Sequence, residues 1–270
     1  MRRLTIQGGR GKEGDPEHLE ITLCRGDTLC IVGPTGAGKS RFLEDISSLA
    51  QGDSPTGRRI LIDGAVPDDK TRHSLEGRII AQLSQNMNFI MDLSVREFIL
   101  MHGESRKQRR GVRDDLADRI VAAANSLTGE ALSADQGVTE LSGGQSRALM
   151  IADTALLSPS PVVLIDELEN AGVDRRRALD LLAGEDKIVL VSTHDPVLAL
   201  LGERRLCIRG GAVRRVIETS PAEQRNLAFL SAVNERFLAL RDMLREGAVL
   251  DFDIKKYFDG AFSDFGDGID

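Results

Sequence analysis

Short hydrophobic runs alternate with helical patterns over most of the chain. Each run is bounded by turn residues or charged residues, as is typical of strands buried in a sheet. The predicted strands cover residues 27–32, 58–64, 78–83, 161–165 and 187–192. A final pair of runs, 205–208 and 212–217, flanks Gly210-Gly211 and predicts a hairpin. Together with a helix at 40–50, this order indicates an α/β fold with a mainly parallel sheet.

Two segments depart from this alternation. Residues 94–157 have helical spacing, with helices expected at 115–124 and 145–157, and predict an inserted α-helical subdomain. After Pro221, apolar residues recur at steps of three and four, which predicts one long helix. These residues are Leu227, Leu230, Val233, Phe237, Leu240 and Leu244. We expect this stripe to pack as part of the core; the alternative is a helix that binds a partner or a second copy.

We therefore divide the chain into a main domain, 1–218, and an extension, 219–270. The extension ends in a tail, 251–270, that mixes Phe and Asp with Gly, and we expect it to be mobile or to act as a docking peptide.

Composition places the chain among ordinary globular proteins, with 41% hydrophobic and 29% charged residues. The net charge of −7 argues against a general polyanion binder. Basic runs at 106–113 and 175–177 lack interleaved aromatic residues, so we do not expect nucleic-acid binding. The three cysteines form no Cys-x-x-Cys pair and are expected to be reduced thiols. No segment has the roughly 20 apolar residues that span a bilayer, so we expect a cytoplasmic protein that reaches a membrane only through a partner.

A glycine-rich loop follows the first predicted strand and precedes the first predicted helix. Its Gly-x-x-x-x-Gly-Lys-Ser pattern is typical of loops whose backbone N–H groups bind phosphates. The candidate phosphate-binding residues are Gly33, Pro34, Thr35, Gly36, Ala37, Gly38, Lys39 and Ser40. We expect Lys39 to reach the β- and γ-phosphates, and the Ser40 hydroxyl to hold Mg²⁺.

An acidic pair, Asp166 and Glu167, ends the apolar run at 161–165. A strand buried on both faces delivers such residues to the edge of the sheet where ligands bind. Asp166 is expected to orient Mg²⁺, and Glu167 to polarise the attacking water. With the phosphate loop, the pair predicts a nucleoside triphosphatase.

A third motif, Leu141-Ser142-Gly143-Gly144-Gln145, introduces a helix and leaves its first N–H groups open to an anion. With this motif in place, the chain resembles the ATP-binding cassette (ABC) ATPase family over about residues 1–218. The resemblance implies a P-loop core with a mainly parallel sheet, an antiparallel β subdomain and the helical insert. It also identifies Gln85 with the family's glutamine loop, which touches Mg²⁺, and His194 with the histidine that contacts the γ-phosphate.

The resemblance further implies a head-to-tail dimer that encloses two ATP molecules. Each ATP would lie between the glycine loop of one copy and the helix start of the other, formed by Ser142, Gly143, Gly144 and Gln145. Asp174 would end the loop at the dimer seam.

The chain departs from the family at the base-binding position, since no aromatic residue precedes Phe42. Arg10 or His18 could stack on the base instead. We therefore expect weak base discrimination, with GTP competing against ATP; strict ATP preference in a nucleotide panel would contradict this. Asn170 and Arg147 also differ from the usual family residues, which is typical of a divergent branch.

Two functions remain open at this stage. The spacing between Gln85 and Ser142 fits the ATP-binding subunit of a membrane transporter, paired with transmembrane permease subunits. The unusual seam loop and the C-terminal helix fit an ATPase that remodels a soluble client, such as a protein or metallocofactor assembly. Co-purification with a membrane subunit or with a soluble one would separate them.

Overall fold

A six-stranded sheet forms the centre of the fold, which we describe from a computed structural model covering residues 1–73, 79–83, 89–105, 114–166 and 172–263. Its strand order is β5-β6-β7-β3-β8-β9, and each of the pairs β5–β6, β6–β7, β7–β3 and β3–β8 is parallel. The strands are β3 (Thr28–Val32), β5 (Ile80–Leu83), β6 (Val162–Asp166), β7 (Ile188–Ser192), β8 (Arg204–Arg209) and β9 (Ala212–Glu218). The predicted mainly parallel sheet is confirmed.

A second sheet is antiparallel, with the order β2-β1-β4. Its strands are β1 (Arg3–Gln7), β2 (Glu20–Cys24) and β4 (Arg59–Ile62). The implied antiparallel β subdomain is therefore present, although only β4 was located beforehand. In β2 the buried and exposed positions alternate, as expected of a strand with one face on the core.

Nine helices occur among the described residues. They are α1 (Lys39–Ser47), α2 (Asp69–His73), α3 (Val95–Ser105), α4 (Asp114–Leu127), α5 (Gly143–Leu156), α6 (Arg175–Gly184), α7 (Pro196–Leu201), α8 (Pro221–Arg245) and α9 (Ile254–Ser263). Helices α3 to α5 lie within the insert predicted at 94–157. No helix of the described ranges is both long and apolar enough to cross a bilayer.

The six-stranded sheet is buried on both faces because its side chains alternate between two cores. Val163, Ile165 and Val189 join the core that contains the helical insert. Val162 and Leu164 point to the other side, into the core shared with α1 and the antiparallel sheet. This two-sided burial explains why the strands read as unbroken apolar runs rather than as alternating patterns.

A buried charged cluster joins the antiparallel sheet to α1. The fully buried Arg58 donates to Glu17 at 2.7 and 2.8 Å and to Asp45 at 2.9 Å. It also donates to the Gly211 carbonyl at 2.6 Å, and its guanidinium lies 4.9 Å from the centre of the Phe42 ring. Burial disfavours the charged guanidinium, but the two carboxylates outweigh it and raise the Arg58 pKa.

The chain falls into two compact units, Met1–Ile217 and Glu218–Asp270. In the second, α8 begins at a Ser220 capping box and packs against α9, where the Tyr257 hydroxyl donates to the Arg236 carbonyl at 3.3 Å. The apolar stripe of α8 is only partly buried: Leu240 is buried, whereas Phe237 is 63% exposed. The tail contains the helix α9; its expected mobility or docking role stays a prediction. The boundary of the main domain after residue 218 stays a prediction.

Candidate active site

The glycine-rich loop connects β3 to α1 and is held open by its own residues. Gly36 and Gly38 adopt left-handed conformations, with φ of +76° and +107°, which favour glycine. A side chain on Gly33 would place its Cβ 2.4 Å from the Ile208 carbonyl oxygen. The Lys39 ammonium donates to the Gly33 and Pro34 carbonyls at 2.8 and 3.3 Å. The loop therefore carries a cation and the start of α1, which together suit an anionic ligand.

Three strand ends bring the predicted catalytic segments to one edge of the sheet. Ser192 of β7 lies in register with Asp166 of β6 on one side and with Ile31 of β3 on the other. The glycine loop follows β3, Asp166 ends β6, and the exposed His194 follows β7, so all three meet at the carboxyl edge. This is the edge at which ligands bind in open parallel sheets.

The Ser40 hydroxyl donates to the Asp166 carboxylate at 3.3 Å, so the two expected metal ligands are adjacent. Hydroxyl and carboxylate oxygens are the hard donors that Mg²⁺ prefers. The described residues contain no group of three or more His, Cys, Asp or Glu that could hold a metal by itself. Gln85 and Glu167, the other expected ligand and the water-polarising acid, lie outside the described residues.

The Leu-Ser-Gly-Gly-Gln motif forms the start of α5 through a capping box. The Ser142 hydroxyl accepts from the backbone N–H of Gln145 at 3.2 Å, and the Gln145 side-chain oxygen accepts from the backbone N–H of Ser142 at 2.9 Å. A Cβ on Gly143 would meet no atom within 4 Å, so this end of α5 is open. Sequence reasoning missed the partner of Ser142: its hydroxyl donates to the Glu130 carboxylate at 2.8 Å.

An ion pair links the expected seam loop to the segment that carries His194. Asp174 caps α6 by accepting from the Arg177 N–H at 3.0 Å. The next residue, Arg175, pairs with Asp195, which also caps α7 by accepting from the Val197 N–H at 2.7 Å. Arg175 was not predicted as a site residue, because a run of three arginines, 175–177, is typical of a solvated surface.

The segment before the glycine loop carries the residues considered for base stacking. Arg10 is exposed, and its Nε donates to the Pro55 carbonyl at 3.2 Å. His18 is also exposed. Lys12 of the same segment contacts the glycine loop: its ammonium donates to the Gly36 carbonyl at 2.8 Å. No motif in the sequence signals this contact.

Comparison with known proteins agrees with this geometry. A family model described as ABC transporter matches residues 16–170. An uncharacterized ABC transporter ATP-binding protein, MJ0121 of Methanocaldococcus jannaschii, is 50% identical over 249 residues, which are 92% of this chain and 94% of that protein. The chain belongs to the ABC transporter family.

More distant members of the ABC transporter family are also similar. The cobalamin import ATP-binding protein BtuD of Halobacterium salinarum is 33% identical over 68% of this chain and 46% of its own length. The phosphonates import ATP-binding protein PhnC of Burkholderia pseudomallei is 31% identical over 82% of this chain and 75% of its own length.

Solved structures of ABC proteins share the fold. The ATP-binding cassette MJ0796 bound to ADP and Pi aligns with a TM-score of 0.60 at 24% identity, over 80% of this chain and 99% of that one. Clostridium perfringens cbiO1 aligns with a TM-score of 0.59 at 20% identity, over 90% of this chain and 98% of that one. The resemblance inferred from the motifs and the α/β fold class are confirmed, and the chain is an ATP hydrolase of the ABC type.

Proposed function

We propose that this chain is the ATP-binding subunit of an ABC transporter and hydrolyses ATP as a head-to-tail dimer of two copies. One observation carries the dimer. Among the described residues, every hydrogen bond of the Ser142 and Gln145 side chains stays within residues 130–145, and none reaches the glycine loop. The open start of α5 therefore has no phosphate to bind within its own copy, but it suits the phosphates held by another.

This arrangement assigns the roles at each ATP site to residues of both copies. The backbone N–H groups of residues 33–40 and the Lys39 ammonium hold the β- and γ-phosphates. Ser142, Gly143 and Gly144 of the second copy close over the γ-phosphate, so the charge of the transition state is fully stabilised only in the dimer. Glu167 polarises the attacking water, His194 contacts the γ-phosphate, and Asp174 lies at the seam. Residues 1–218 form the cassette, and residues 219–270 extend it.

We infer that Mg²⁺ is bound by Ser40 and Asp166, with Gln85 as a further contact. The side-chain oxygens of Ser40 and Asp166 are adjacent and of the type that Mg²⁺ prefers. The ion supplies charge neutralisation at the β- and γ-phosphates. Chelation with EDTA should abolish hydrolysis, and Ser40→Ala should raise the Mg²⁺ concentration needed for half-maximal activity. Equal activity with and without the chelator would contradict this assignment.

Glu167→Gln tests the catalytic dimer most directly. Removing the carboxylate that polarises water should stop turnover while ATP binding remains, so the closed dimer should accumulate and elute early in size-exclusion chromatography with ATP. Glu169→Gln, two residues away, is the matched control and should behave as wild type. Ser142→Arg should bind ATP but stay monomeric. Unchanged turnover of Glu167→Gln would refute its role.

An apolar surface supports the transmembrane partner. Ile90 is 93% exposed, Met91 is 37% exposed and Met101 on α3 is 40% exposed, while the neighbouring Phe89 packs edge-on against Phe98 with ring centres 4.9 Å apart. Contiguous exposed apolar surface is typical of interaction sites, and Ile90 and Met91 are consecutive in the chain. The relatives named as import proteins support a transporter, and the transported compound would be recognised by the other subunit.

The partner is tested by fractionating cells that express the natural complex. Wild type should sediment with membranes and Ile90→Asp should not, while both hydrolyse ATP equally. Val66→Asp, a change at another exposed apolar residue, should sediment as wild type does. Wild type that stays with a soluble assembly would contradict the transporter and favour the remodelling ATPase.

A further inference from the structure

In the described part of the chain, two ammonium groups contact the glycine loop, and only one of them belongs to the loop motif. Lys39 donates to carbonyls at the beginning of the loop, those of Gly33 and Pro34. Lys12 reaches the loop from the preceding segment and donates to the Gly36 carbonyl at 2.8 Å. The loop proposed to bind phosphate is therefore contacted by cations at three of its carbonyls.

The position of Lys12 is fixed by the turn between β8 and β9. Its backbone N–H donates to the Gly210 carbonyl at 2.7 Å. A Cβ on Gly211 would lie 2.9 Å from Cγ of Lys12, so the absence of a side chain there lets the lysine stem cross the turn. Gly211 in turn donates its N–H to Ala37 at 2.8 Å, and a Cβ on Gly38 would lie 3.0 Å from the Gly211 Cα. The turn, the loop and Lys12 thus form one packed arrangement.

The charge of Lys12 is not neutralised by a neighbouring acid. No ion pair joins Lys12 to a carboxylate in the described parts of the chain. The adjacent Asp15 pairs with Arg214 at 2.5 Å instead. An ammonium has three donors, so Lys12 can keep its bond to Gly36 and still donate to a ligand. A charged phosphate oxygen is a stronger acceptor than a carbonyl.

The segment before the loop has no Phe, Tyr or Trp to stack on a base. The first aromatic residue of the sequence, Phe42, is fully buried beneath Arg58. Binding energy that a stacked base would contribute must therefore come from elsewhere, and the polyphosphate is the part of the ligand that reaches the loop.

We propose that Lys12 is a second cationic residue of the nucleotide site, which binds the polyphosphate of a nucleoside triphosphate whatever its base. This rests on the phosphate role proposed for residues 33–40. It assigns base-independent affinity to Lys12 and leaves stacking on the base to Arg10 or His18. Different phenotypes follow: Lys12 sets the affinity for all triphosphates, and the stacking residue sets the preference among bases.

The test measures Kd for ATP and for GTP by isothermal titration calorimetry with the full chain. Lys12→Met should weaken both nucleotides by the same factor of about ten, the size expected for one hydrogen bond to a charged group. Lys12→Arg, which keeps the charge, should restore most of the affinity. At saturating ATP, kcat should stay within about twofold of wild type, because the Lys12 contact is equally present before and during the chemical step. Lys70→Met, at an exposed lysine of α2, is the control for loss of one positive charge.

Three results would overturn the proposal. Lys12→Met with wild-type affinity removes its role, and a loss confined to ATP would show a contact with the base. Equal losses in Lys12→Met and Lys12→Arg would show that the lysine only shapes the loop. If the wild-type chain itself binds neither nucleotide, the phosphate role of the glycine loop fails, which is distinct from a failure of Lys12 alone.

Discussion

Arg58→Met removes the cation of the buried charged cluster while keeping the aliphatic stem of the side chain. Methionine lacks the outer guanidinium atoms that lie over Phe42, so the substitution also leaves a small cavity there. Glu17 keeps two backbone donors, the N–H groups of Gly9 at 3.1 Å and Val213 at 2.5 Å. Asp45 keeps the Thr56 hydroxyl at 2.8 Å. The principal change is electrostatic: both buried carboxylates lose the Arg58 charge, although Asp45 keeps a longer ion pair with Arg41 at 3.9 Å.

The size of the effect follows from burial. All three side chains are at most 1% exposed, so solvent cannot screen the remaining charges. Removing one partner of a buried ion pair costs about 3–5 kcal/mol. The surviving hydrogen bonds reduce the penalty and the presence of two carboxylates increases it, so we expect a loss of about 4 kcal/mol. A domain with about 5–15 kcal/mol of stability would keep only part of it.

Urea unfolding followed by far-UV circular dichroism measures this loss. The sequence has no Trp, and its single Tyr, Tyr257, lies in the C-terminal unit, so intrinsic fluorescence would not report on the cluster. Arg59→Met, at the adjacent exposed position, should change the free energy of unfolding by less than about 0.5 kcal/mol. Adding Glu17→Gln to Arg58→Met should recover part of the loss, since the sites are coupled. A loss below about 1 kcal/mol in Arg58→Met would refute the electrostatic argument.

Three further predictions concern the site and the core. Glu130→Gln removes a negative charge beside Ser142, so ATP-dependent dimers should be several times tighter in analytical ultracentrifugation; weaker dimers would contradict the geometry. Arg175→Ala releases Asp195, so kcat should fall about tenfold with ATP affinity unchanged, as steady-state kinetics can show. Burial raises the pKa of the Cys30 thiol to about 11, so Cys30 should stay a neutral thiol at pH 8 and react with DTNB only after unfolding.

The chemistry-bearing segments of the cassette could be predicted from the sequence because each is local. A glycine loop between a strand and a helix, an acid at the end of an apolar strand and a capped helix start are all short patterns with their own physical meaning. The strands around them were placed within a few residues, since burial on both faces leaves an unbroken apolar run. The antiparallel sheet was harder: β2 alternates buried and exposed positions and so shows no unbroken apolar run, and β1 was not located either.

The C-terminal unit shows where periodicity misleads. The stripe from Leu227 to Leu244 predicts the helix α8 correctly but does not predict what covers it. Phe237 and Leu244 are 63% and 56% exposed, although the stripe was expected to pack as part of the core. Periodicity fixes which residues share a face of a helix, whereas burial depends on the neighbour that arrives at that face.

The sequence by itself determined the family, the order of the motifs and the kind of ligand, because phosphate binding needs specific residues at fixed spacing. Only the tertiary structure brought Asp166 beside Ser40, Glu130 beside Ser142, Asp195 beside Arg175 and Lys12 onto the glycine loop. Ser142 lies 12 positions from Glu130, Asp195 lies 20 from Arg175, and Asp166 lies 126 from Ser40. Lys12 lies 24 positions from Gly36. No local pattern predicts such contacts, because they depend on which strands become neighbours. The Lys12 contact also depends on a distant turn, where Gly211 leaves room for the lysine stem.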